Sequence, residues 1–72
     1  MAVEHEFLDD LRERIIHLAH RIARQWRLIT ELEIENRPTA EADQHLAELQ
    51  RSLSELRSER DKRREASALH GA

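Results

Sequence analysis

The chain has 72 residues, of which 12 are Lys or Arg and 15 are Asp or Glu, with a formal net charge of −3 and no cysteine. That excludes a large single core, disulfide bridges, thiol catalysis and cysteine-ligated zinc. A single glycine, a single proline, two aromatic residues and 38% charged residues exclude a mixed sheet protein and describe a long amphipathic helix or coiled coil.

No apolar run approaches the roughly eighteen residues of a membrane span. The N-terminal stretch carries Glu4, Glu6, Asp9 and Asp10 where a signal peptide would be basic. A soluble, cytoplasmic protein is therefore expected. Disorder is the bland alternative, and the regular apolar spacing argues against it.

Helix 1 is expected over about residues 4–36. From Leu8 the seam positions are Leu8, Leu11, Ile15, Leu18, Ile22, Gln25, Ile29, Leu32 and Asn36, in alternating steps of three and four. This is a heptad stripe in which Gln25 places a polar group among apolar ones. A buried amide there would fix register or oligomeric state, or would lie partly exposed. Trp26 sits beside the seam, where packing inside the hairpin is the expected role and anchoring a partner the alternative.

A turn is expected at residues 36–39. Pro38 lacks a donor N–H and disfavours helical geometry at Arg37. Thr39 suits an N-cap, and Glu41 suits the positive end of a new helix. An uninterrupted rod with Pro38 absorbed as a kink is the other arrangement.

Helix 2 is expected over about 39–66, followed by a frayed tail at 67–72. Its stripe is Ala42, Leu46, Leu49, Leu53 and Leu56, after which the seam positions become Arg60 and Arg63. After Met1, residues 1–36 hold thirteen large apolar side chains, and residues 37–72 hold five. The second helix cannot cover the first, so a partner is expected.

The fold expected is all-α: one domain over 1–72, an antiparallel helical hairpin that dimerises into a four-helix bundle. Folding back near Arg37 makes facing residue numbers sum to about 75, which pairs Ile29 with Leu46 and Ile22 with Leu53. Ile15, Leu11 and Leu8 then face Arg60, Arg63 and Ser67. The expected protein interface is Phe7, Leu8, Leu11, Ile15 and Ile16, with Arg60, Arg63 and Arg64 as its charged rim. Asp9, Asp10 and Glu13 lie at the height of the basic end of helix 2, and Arg21, Arg24 and Arg27 near Glu48 and Glu55. Such pairs select orientation more than they add stability.

Little in the chain suggests catalysis. Ser52, Ser54, Ser58 and Ser67 have no glycine turn or His–acid pair beside them, so no enzyme activity and no cofactor are expected. Glu13, His17 and His20 share one side of helix 1 at a spacing that suits a divalent metal, but Arg21, Arg24 and Arg27 would repel a cation, and a plain polar face is the stronger reading. His5, His45 and His70 are isolated. Eleven of the twelve basic residues are arginine. The rival function is therefore a nucleic-acid-binding bundle, by analogy with Rop, using Arg57, Arg60, Lys62, Arg63 and Arg64; the net negative charge and the lack of aromatics in that run count against it.

The stretch Arg21-Ile-Ala-Arg-Gln-Trp-Arg-Leu-Ile-Thr-Glu-Leu, then Arg37-Pro-Thr-Ala-Glu-Ala and the leucine seam to Arg60-Asp61, resembles small hypothetical two-helix proteins of alphaproteobacteria, especially rhizobia. The likeness spans roughly residues 17–62. It departs at Trp26, where that group often has arginine, and at Asn36-Arg37-Pro38, where a turn glycine is common. The resemblance implies a bacterial cytoplasmic protein and a helical hairpin, and carries over no catalytic residue. The function expected is a non-enzymatic interaction or regulatory module that binds a second copy of itself or another protein through helix 1.

Overall fold

A computed structural model describes the backbone of residues 2–71 and the side chains of residues 8–66. Two helices, α1 (Ala2–Ile34) and α2 (Ala40–Gly71), run side by side as a hairpin of 56 × 16 × 13 Å. Among the described residues there is no strand. The uninterrupted rod is thereby ruled out, and α2 continues past the expected end near 66.

The corner is built by three residues. α1 closes in a Schellman motif: Asn36 takes the left-handed conformation at φ 56, its N–H donates to Glu33 O at 3.1 Å, and Arg37 N–H donates to Leu32 O at 2.9 Å. Both bonds use carbonyls that the helix end would otherwise leave open. Asparagine thus does here what a turn glycine commonly does, which explains why α1 stops at Ile34 and not at 36. Pro38 follows at once and cannot resume the old helix.

α2 starts from Thr39, whose carbonyl accepts from Asp43 N–H at 2.8 Å. The Thr39 hydroxyl donates to the Asp43 carboxylate at 3.0 Å instead of accepting from a free amide, the role read from the sequence. Glu41 and Asp43 place negative charge in the first turn, where the helix dipole favours it.

Ile29, Ala42 and Leu46 pack together at the base of the hairpin, with Ile22 and Leu32 against them. Leu49 and Leu53 continue the buried face of α2. Gln25, half-buried in the seam, donates from Nε2 to Ala42 O at 2.9 Å. The amide is thus satisfied inside one chain, by the opposite helix. Because Gln25 reaches Ala42, and Ile29 meets Ala42 as well as Leu46, α2 lies up to one turn closer to the start of α1 than the fold-back register implied.

The orienting charge pairs are also drawn differently. Asp10 pairs with Arg14 at 3.2 Å and Glu59 with Arg63 at 3.6 Å, each one turn apart on the same helix. Arg60 pairs with its neighbour Asp61 at 3.2 Å. A charged group meets its own helix neighbours at less entropic cost than a residue across the seam.

The left-handed Asn36 gives a direct check. Asn36→Gly should leave the hairpin as stable or stabilise it by up to about 1 kcal/mol, and Asn36→Val should destabilise it by about 1–2 kcal/mol. Urea unfolding followed by circular dichroism reads both.

Candidate interaction surface

The interface expected from the sequence separates into two parts. Leu11 and Ile15 are 4% and 9% exposed within the single chain, so they belong mainly to the hairpin's own core. Leu8 is half-buried, and Ile16 remains 47% exposed. Phe7 lies outside the residues whose side chains are described.

Arginine explains the difference. The sequence reading ended the apolar stripe of α2 at Arg60, because a guanidinium cannot cover a leucine. Its three-methylene stem can. Arg60 is only 28% exposed at its side chain, while Nε and a terminal nitrogen reach Asp61 Oδ1 at 3.3 and 3.2 Å. With α2 also shifted toward the start of α1, the seam runs further than its leucines do. Arg63 and Arg64 stay exposed.

A depression of about 500 Å³ remains beside this end, where Leu8, Ile15 and Ile16 meet Arg12, Arg60 and Arg64, with Asp9 at its edge. It brings Leu8, Ile16, Arg60 and Arg64 together around one hollow. It is open on one side and too shallow to exclude water from a reacting group.

One surface was missed. Trp26 is 52% exposed, not packed inside the hairpin, and Ile34 is 75% exposed. With Ile16 they lie on a second stripe of α1, Arg12, Ile16, Ala19, Ala23, Trp26, Thr30 and Ile34, again in steps of three and four. At about 100° per residue this stripe sits roughly 100° round the helix from the Leu11–Ile29 seam. Thr30 donates its hydroxyl to Trp26 O at 3.0 Å, so that group is satisfied within the helix. The spacing was legible in the sequence, but the two alanines disguised it as a gap.

The histidine face is polar. His17 and His20 border a second, more open depression with Ala23, Arg24 and Arg27, two guanidinium groups beside the imidazoles. Among the described residues no three His, Cys, Asp or Glu side chains converge on one point that could hold a metal ion. His45 approaches Glu48 at 3.9 Å on its own helix. Among those residues, too, no helix is long and apolar enough to cross a membrane.

Burial separates the two stripes experimentally. At a concentration where the hairpin is monomeric, Leu11→Ala or Ile15→Ala should lose about 2–4 kcal/mol of unfolding free energy, or abolish folding. Ile16→Ala should change it by less than about 0.5 kcal/mol. Equal losses at Leu11 and Ile16 would contradict this division of α1. No protein-family model matches the chain, and no curated protein and no solved structure is detectably similar to it.

Proposed function

We propose that this chain is a non-enzymatic protein-interaction module that associates through α1 and acts in the bacterial cytoplasm, the setting that its resemblance to alphaproteobacterial hairpins implies. The observation that carries the reading is the second stripe. Ile16, Trp26 and Ile34 stand out from α1 around Ala19 and Ala23, and small residues between large ones allow another helix to approach closely. A monomeric helix whose apolar residues served one seam would have no use for this face. The basic rim at Arg12, Arg60 and Arg64 adds charge selectivity at one end.

The catalytic alternative has little support. Ser52, Ser54 and Ser58 are exposed on α2, and neither depression is enclosed enough to shield a reacting group from water.

A photo-crosslinking amino acid placed at position 26, in the cells that make the protein, tests the proposal. It should yield a specific covalent adduct with a protein, and Ile16→Glu in the same chain should reduce that adduct by about tenfold. Absence of any adduct at positions 16, 26 and 34 would overturn the reading.

A second reading, nucleic-acid binding, is favoured by the convergence of Arg12, Arg60 and Arg64 on one depression. It is weakened by the pairing of Arg60 with Asp61 and of Arg63 with Glu59. If it holds, RNA or DNA will bind with an affinity that falls steeply as salt rises and drops again on Arg60→Gln with Arg64→Gln. No salt-dependent binding to either polymer would remove it.

A further inference from the structure

We infer that the partner on α1 is a second copy of this chain, docked antiparallel about a two-fold axis that runs between the copies at the height of Arg21 on α1 and Gln50 on α2. The inference rests on the reading of α1 as the docking face, and names its occupant.

The stripe on α1 is symmetric about its own middle. Arg12 and Thr30, Ile16 and Trp26, and Ala19 and Ala23 are each centred on Arg21, and Leu8, at the edge of the seam, mirrors Ile34. Reversing the helix about that point therefore lays the large apolar residues on one another, alanine on alanine, and Arg12 on Thr30. Ile16 of each copy meets Trp26 of the other, while Ala19 opposite Ala23 lets the backbones approach at the centre. An antiparallel helix pair has this a-against-d layering. A closed, self-complementary contact of this kind is what a two-fold dimer requires.

α2 supplies an independent check on the position of the axis. Arg64 shares a depression with Arg12 and Ile16, so its edge of α2 lies on the same side of the hairpin as the α1 stripe. Heptad steps back from Arg64 along that edge give Arg57, Gln50 and Asp43, all exposed. Asp43 and Arg57 are opposite in charge and centred on Gln50, so a reversal there pairs Asp43 of each copy with Arg57 of the other. Among the described residues Arg57 has no ion-pair partner within its own chain.

The two centres lie at about the same height. Ile29 packs with both Ala42 and Leu46, and eight residues back along α1 and eight forward along α2 put Arg21 level with the turn from Gln50 to Ser54, since both helices rise equally per residue. A single axis thus satisfies the apolar stripe of one helix and the charges of the other. The same reversal brings the acidic end of α1, with Glu31, Glu33 and Glu35 exposed, toward the Arg12, Arg60 and Arg64 rim of the partner. The roughly 100° between the two seams of α1 is close to the corner angle of a square four-helix bundle.

The absence of cysteine makes the test direct. Arg12→Cys and Thr30→Cys proteins, both altered at exposed positions, are mixed and oxidised gently. The proposal expects a disulfide between Cys at 12 of one copy and Cys at 30 of the other, and little linkage of 12 to 12, which lie about 27 Å apart along the helix. Preferential 12-to-12 linkage would show parallel packing and overturn it. In sedimentation, Arg57→Asp alone should weaken the dimer by about tenfold with the helical content unchanged, and adding Asp43→Arg to it should restore association. A purified chain that stays monomeric at high concentration overturns the self-association. If a different protein is still captured at position 26 in cells, the interaction reading survives; with no adduct either, both fall.

Discussion

The seam between α1 and α2 decides what the rest of the molecule is free to do. Ile29, Ala42 and Leu46 pack together at its base, Gln25 reaches across to the Ala42 carbonyl, and the left-handed Asn36 closes the corner beneath them. These contacts set which side of α1 turns inward and how far α2 slides along it. Once that is fixed, the surface left over follows from helical geometry. A side chain about 100° from the seam has no second helix within its own chain to cover it.

The sequence placed both helices, the corner near Arg37, the antiparallel packing and most of the seam, because each depends on local features: a period of three and four, a proline, a capping threonine. What it placed wrongly was the end of the seam. Arg60 was read by its charge, and in the hairpin its aliphatic stem lies at a largely covered position while its guanidinium turns to Asp61. Leu11 and Ile15 are buried within the single chain, although the apolar pattern of α2 by itself leaves them stranded. Of the apolar residues of α1 left exposed, Ile16, Trp26 and Ile34 lie to the side of the seam, and Leu28 stands apart from them.

Trp26 shows the same limit from the other direction. Its position beside the seam suits packing inside the hairpin, yet it is 52% exposed beside Ala23 and Thr30. A residue flanking a seam can lean inward or outward according to the shift of the facing helix, and that shift is a property of the whole interface. Gln25 presented the same ambiguity and resolved inward, onto a carbonyl in the first turn of α2. Short-range pattern gives a residue its angle on the helix; it does not say what stands opposite.

By itself, then, the sequence determined an all-helical hairpin with more apolar surface on α1 than α2 can match, because periodicity, proline and capping act over a few residues. Only the tertiary structure decided where the surplus falls. The relative shift of two helices is set by all their contacts together, and that shift buries Leu11 and Ile15 while leaving Ile16, Trp26 and Ile34 facing outward.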